Sequence, residues 1–335
     1  MLALAVNHGF FDKLESSGVY FIEVLGPFAI TFLYCNSSER IKHVVMVYIV
    51  CVCCTLLVTL PETLTNTNWL QTILGGRPSG HMEPRMGLYR SFGTFDHPIL
   101  QGVFSSTAVG LAWFLGRYRL FAGTLMATIT SVSSGAVFSV LIQFMIIGWE
   151  RFSRAITNRW GLLLAIVLIG YFSIEFVSNR SAIRAIISHL TFSPQTAYFR
   201  ILIWEYGMQN VWSNVFFGIG FHDWVRPSFM HASSIDAFWL VSMIRYGIPA
   251  FIMYASAYLI VIFKLYKLEL VDKQKRMIRR GWLTGMIGLV LSSITVHLWN
   301  NALVFIHFYL GLGAAMLVVF SREQRLEKEA EASEN

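Results

Sequence analysis

The chain has 335 residues, 55% of them hydrophobic and only 13% charged, with a formal net charge of +7. Soluble domains carry about a quarter of their residues as charges, so this composition excludes a soluble globular protein and makes the bilayer the solvent. The positive balance does not point to nucleic acid, because the basic residues sit in short stretches between apolar runs, where they orient a membrane protein.

The first residues, Met1 to Phe11, are too short and lack the basic lead of a cleavable signal peptide. Apolar runs long enough to cross, or nearly cross, a membrane follow at 19–35, 42–60, 98–116, 160–177, 248–263, 281–297 and 302–320. All four cysteines, Cys35, Cys51, Cys53 and Cys54, fall in the first two runs; none can staple a polar loop, and their spacing suits packing rather than metal. The stretch from Leu120 to Trp149 is ambiguous by length. Arg117 and Arg119 precede it, and Arg151, Arg154 and Arg159 follow it, so the chain must go out and return, turning at Ser131 to Gly135. Legs of about fifteen residues reach roughly 22 Å against a core of ~30 Å, which predicts a turn sunk below the surface and lining a cavity.

The expected architecture is an all-α polytopic membrane protein of about nine transmembrane helices, one pair of them a short hairpin. Its segments are an outer start and two helices (1–60), an outer loop (61–97), four helices (98–177), a large helical outer loop (178–247), three helices (248–320) and a charged, cytoplasmic, disordered tail (321–335). Of the 26 Lys and Arg, 17 then lie inside and nine outside. Nine crossings with an inner C-terminus place Met1 outside. That leads to the expectation that helices precede this start site, as in an N-terminally truncated chain, or that residues 1–11 dip into the membrane.

Eight of the nine outer basic residues are arginine, with Lys13 the exception, although lysine is common inside. Sidedness alone does not choose between the two, whereas a planar fork of donors suits phosphate oxygens. Arg77, Arg180 and Arg184 read as contacts to headgroups or loop carboxylates. Arg90, Arg200, Arg226 and Arg245 read as candidates for binding a diphosphate. Arg90 stands where the loop re-enters the membrane; Arg200 opens an amphipathic segment, Ile201 to Trp212, that ends in the turn Gly218-Ile219-Gly220; Arg226 follows that turn. Arg245 lies in an apolar run, 235–263, that Gly247 and Pro249 break, leaving 235–246 as an interfacial helix. His231 and Asp236 are the nearby titratable groups, each able to take a proton from a sugar hydroxyl; the plainer roles are a loop histidine and, for Asp236, a helix N-cap. Trp204, Trp212, Trp224 and Trp239 suit an interfacial belt or sugar stacking. The outer loops hold no DxD or ExD pair for a metal clamp, so no cofactor is expected.

Arg90 to Gly102, RSFGTFDHPILQG, resembles the Arg-x-x-Gly-x-Phe-x-x-Pro pattern of an outer loop in the O-antigen ligase and polymerase superfamily of bacterial membrane glycan transferases. TITSVSSGA from Thr128 resembles the family's short Ser-Arg-Gly-Ala hairpin turn, with Ser134 where many members carry Arg. The stretch from Arg200 through Trp204, Gly218-Ile219-Gly220 and His231 to Arg245-Tyr246-Gly247-Ile248-Pro249 resembles the large outer loop and its exit. The elements match in order over roughly residues 85 to 320. Ala232 stands where members often have Asn, which moves the proton-accepting role from His231 toward Asp236. The resemblance implies metal-free transfer of a glycan from a polyprenyl diphosphate carrier to an acceptor glycan or lipid A core at the outer face of the inner membrane. The other function classes open to this sequence are a lipid-linked glycan flippase or carrier and a non-catalytic subunit of a polysaccharide assembly complex.

Overall fold

The computed structural model describes residues 2–9, 14–74, 84–177 and 194–334. These form twelve α-helices and, among the described residues, no strand beyond one isolated bridge between Arg85 and Leu88. In chain order they are α1 (Leu2–His8), α2 (Leu14–Tyr34), α3 (Ser38–Thr65), α4 (Trp69–Ile73), α5 (Pro98–Phe114), α6 (Tyr118–Ile129), α7 (Ser134–Phe152), α8 (Arg159–Val177), α9 (Pro194–Ser213), α10 (Phe238–Lys267), α11 (Lys273–Ser292) and α12 (Asn301–Glu334). Six of them, within α2, α3, α7, α8, α10 and α12, are long and apolar enough to cross a bilayer. The other three expected crossings are shorter or more polar. Helix α5 has 17 residues and α6 only 12, while α11 carries Lys273, Lys275, Arg276, Arg279 and Arg280 in its first half.

Helices α5 and α11 lie at the centre, and a helix wrapped by other helices need not be apolar enough to face lipid. Their contact is built from small residues, the usual device where hydrocarbon gives no driving force for helix association. Gly281 rests on the backbone of Leu111, Gly285 on that of Thr107, and Gly288 against Ser139 of α7. Polar side chains close the remaining gaps internally: Gln143 of α7 donates to the Ser106 carbonyl (2.8 Å), and Ser106 and Ser139 share a hydrogen bond (3.0 Å). Trp282 stacks on Tyr309 of α12 and donates to its carbonyl (2.8 Å). Cys53 packs against Gly123 of α6 and Cys35 is buried, whereas Cys51 and Cys54 are exposed on α3.

The hairpin turn is buried within the protein at Thr130, Ser131, Val132 and Ser133. Its legs are unequal, because α6 stops at Ile129 and α7 runs on to Phe152. Gly102 of α5 packs on Ser131 and Ala136, Val296 packs on Gly135, and the cavities described below are lined by other residues.

Two further expectations are overturned. The run 281–297 is not one span; α11 ends at Ser292, and residues 293–300 form an irregular segment whose Ser293 and Val296 carbonyls accept from Phe238 N–H (3.0 and 3.1 Å). The tail beyond 320 is helical to Glu334 rather than disordered. Glu323 and Glu327 pair with Lys275 (3.0 and 3.2 Å), and Arg322 donates to the Asn36 carbonyl (2.9 Å), so the helix is tied to its neighbours as it leaves the bundle.

The break in α10 falls at Gly247, whose φ of 82° and ψ of 169° take the chain out of the helix. A continuous helix would pair the Ile244 carbonyl with Ile248 N–H, and the Arg245 carbonyl with a donor that Pro249 lacks. The Gly218–Gly220 turn supplies both missing donors: Ile219 N–H reaches the Ile244 carbonyl (2.8 Å), Gly220 N–H reaches that of Arg245 (2.9 Å), and Ile248 N–H donates to Val215 (2.8 Å). Glycine is required at 218, 220 and 247, where φ is positive and a Cβ would strike backbone or the docked α1. This joint fixes Arg245 at one end of the bundle. Helix α1 docks there too: His8 Nε2 accepts from Phe221 N–H (2.8 Å), and its ring stacks on His222.

Candidate functional site

The loop before α5 is held by a buried carboxylate. Glu62 of α3 accepts from Gly93 N–H (2.9 Å) and from the Asn68 amide (3.1 Å), which also donates to the Gly93 carbonyl (3.0 Å). Ser91 N–H donates to the Thr130 carbonyl (3.1 Å), joining this loop to the buried hairpin turn. His97 caps α5 by accepting at Nδ1 from Ile99 N–H (3.2 Å). Arg90 and His97, near the two ends of the loop, both feel the charge of Arg200 of α9.

Arg85, Arg90, Arg200, His97 and Asp236 form one electrostatic cluster. Burial, then the charges of Arg85 and Arg200, lower the Arg90 pKa to about 10. Burial, then Arg90, Arg85 and Arg200, hold His97 down to about 4, so its ring is neutral at physiological pH. Arg200 is 4% exposed, and its Nε–H has no acceptor among the described residues. Burial lowers its pKa, Asp236 works against that, and Arg85 adds to it. Asp236 is shifted upward by burial and held back by Arg200. Among the described residues, Arg85, Arg90 and Arg200 share this partly dehydrated setting with the Asp236 carboxylate.

Asp236 faces a cavity of about 520 Å³, which Trp224, Arg245, His297 and Trp299 also line. Arg245 lies over the Phe221 ring (5.5 Å) and borders a second cavity of about 170 Å³ with Tyr20, Glu23 and Tyr246. Burial, then Arg245, holds His297 at about 4. The surroundings of Asp236 are therefore cationic on the Arg200 side and aromatic on the other.

Of the four arginines singled out in the sequence, Arg90 and Arg200 lie in the cluster and Arg245 lies on the cavity wall. Arg226 is engaged elsewhere: it pairs with Asp223 (2.6 Å), donates to the Met230 carbonyl (3.0 Å) and covers Trp224. That arrangement shapes the loop and depresses the Asp223 pKa, chiefly through the hydrogen bond from Arg226. His231 is exposed and is not among the residues lining the cavity that Asp236 faces. Asp236 is not a helix cap. The cap position of α10 is Ala237, and the first free N–H is satisfied by the 293–296 carbonyls, which leaves the carboxylate available. Trp204, Trp224 and Trp239 anchor elements through indole hydrogen bonds to the carbonyls of Ile294, Ser233 and Val290, and Trp212 is exposed. Lys13, Arg77, Arg180 and Arg184 lie outside the described residues.

Arg85, His97, His297, Trp299 and Glu62 were not singled out as site residues. A signal existed for two of them: His297-Leu298-Trp299-Asn300-Asn301 interrupts an otherwise apolar run with hydrogen-bonding groups. Glu62 and Arg85 carry no such local mark. No protein-family model matches this chain, and no curated protein matches it either.

Proposed function

We propose that the chain is a glycan transferase of the O-antigen ligase or polysaccharide polymerase type, acting at the outer face of a bacterial inner membrane with a polyprenyl diphosphate-linked glycan as donor. The observation that carries this reading is the gathering of Arg85, Arg90 and Arg200 around His97, next to Asp236 and the cavity it faces. An acceptor hydroxyl attacks the anomeric carbon, the bond from that carbon to the diphosphate oxygen breaks, and the electron pair leaves with the diphosphate. Charge grows on those oxygens in the transition state, where buried guanidiniums stabilise it most. Asp236 takes the acceptor's proton. Burial raises its affinity for a proton and Arg200 opposes that shift, and a carboxylate tuned upward in this way suits a general base. Neutral His97 and His297 add polar contacts without adding charge. The arginines take the role a metal has in other diphosphate enzymes, so turnover is expected in EDTA.

The test is transfer from a purified lipid diphosphate glycan to an acceptor in liposomes. Arg200→Ala is expected to lower the rate about 10²–10³-fold at unchanged protein level, as for removal of one oxyanion donor. Full activity in that variant, or a strict need for a divalent metal, would overturn the reading. A second reading, a lipid-linked glycan carrier, is favoured by one observation: a further cavity of about 840 Å³ at the opposite end of the bundle. A deletion strain separates the two, since a missing carrier strands the donor in the inner leaflet and a missing transferase strands it in the outer.

A further inference from the structure

The end of the bundle away from the arginine cluster has its own built environment. Glu150 of α7 pairs with Arg280 of α11 (3.1 Å) and reaches Arg159 at the start of α8 (4.0 Å), drawing three elements around the cavity of about 840 Å³. Five cations line it, Arg154, Arg159, Lys267, Arg279 and Arg280, against two carboxylates, Glu150 and Glu269. Arg279 donates through Nη1 to the Leu268 carbonyl, and its buried Nε–H has no acceptor among the described residues. Trp160 and Tyr266 meet edge to face at the rim, with Arg159 over the indole (5.8 Å).

The walls below these charges are apolar, with Ile146, Ile262 and Ile287 contributed by α7, α10 and α11. Helix α8 is long and apolar enough to span a bilayer, yet none of its residues is buried against the protein. It gives the cavity Arg159 and Trp160 and otherwise stands off the bundle, beside a cationic mouth whose apolar walls come from the bundle.

We infer that this cavity binds an anionic phospholipid, its phosphate held by Arg159, Arg279 and Arg280 and its acyl chains lying between α8 and the bundle. A basic pocket between membrane helices suits a phosphate headgroup, and guanidinium forks suit its oxygens. A soluble phosphate would use the mouth and leave the apolar walls unused, which is why the lipid is the occupant argued for. The inference does not depend on the transferase reading, because it concerns other residues at the other end.

The experiment is lipid retention by the full chain in detergent, read by native mass spectrometry, with phosphatidylglycerol, phosphatidylcholine and inorganic phosphate as probes. Phosphatidylglycerol should be retained in preference to phosphatidylcholine and should survive tens of millimolar inorganic phosphate. The exposed rim residues Arg154 and Lys267 provide mild variants: Arg154→Gln and Lys267→Gln should each weaken retention about fivefold, the contribution of one basic residue near a headgroup. Glu150→Gln frees Arg159 and Arg280 from their competing carboxylate and should strengthen retention, a change that a purely structural ion pair would not give. Equal retention of the two lipids, displacement by inorganic phosphate, or weaker binding in a folded Glu150→Gln protein would each overturn the inference.

Discussion

At the level of single residues, the site turns on how burial treats charge. His97 keeps a pKa of about 4 in the folded chain against an ordinary 6.5. Between those values the unfolded chain binds a proton that the folded chain refuses, so stability is complete above about pH 6.5 and falls as pH drops toward 4. His297 behaves in the same direction. Thermal unfolding in detergent should therefore show a midpoint that declines across this window, and His97→Gln should flatten the decline; an unchanged slope would remove His97 as its source. Asp236 and His231 make opposite predictions for activity. Asp236→Asn is expected to lower transfer by about 10²–10⁴-fold, the range of a lost general base, whereas exposed His231→Ala should stay within a few-fold of the parent rate. The reverse order would return the proton-accepting role to His231. Glu62 touches no substrate in this scheme; it positions the loop carrying Arg90. Glu62→Ala leaves the buried Gly93 N–H without its acceptor and should cost about 1–3 kcal/mol of stability.

At the level of elements, the central contact of α5 with α11 and the joint at Gly247 determine where the site groups stand. Gly285 lies against the Thr107 carbonyl and the Tyr309 hydroxyl, so Gly285→Leu should separate α5 from α11 and destabilise the fold by about 1–3 kcal/mol, measured as a lower unfolding midpoint. The Gly218–Gly220 turn does for α10 what an intact helix would have done for itself, by donating to the Ile244 and Arg245 carbonyls. The break in α10 was legible, because Gly247 and Pro249 sit inside an apolar run too long for one span. Its repair was not, because the donors come from about 25 residues upstream and no local pattern links them. The run 281–297 misled for a related reason. Hydropathy counts Val296 as a membrane residue, but it is buried against protein, where an irregular backbone can find partners.

At the level of the whole molecule, the two ends differ in chemistry. One holds the 84–97 loop and α9 with the arginine cluster, and α1 and the 293–300 segment near Arg245; the other gathers the ion pairs of Glu150 and Lys275. In a background lacking native cysteine, Ser234→Cys and Lys328→Cys should label from opposite sides of the membrane, and labelling from the same side would refute the proposed orientation. Composition and charge spacing alone determined that the chain is helical, lives in a bilayer and turns back between Arg119 and Arg151, because transfer free energy and charge asymmetry act on each segment locally. The tertiary structure alone decided that Arg226 serves its own loop, that Asp236 is released from capping, that His97 and Arg85 join Arg90 and Arg200, and that His297 meets Arg245. Those outcomes depend on which distant backbone carbonyls and charges meet in a low-dielectric interior, and that proximity is a property of the fold rather than of any stretch of sequence.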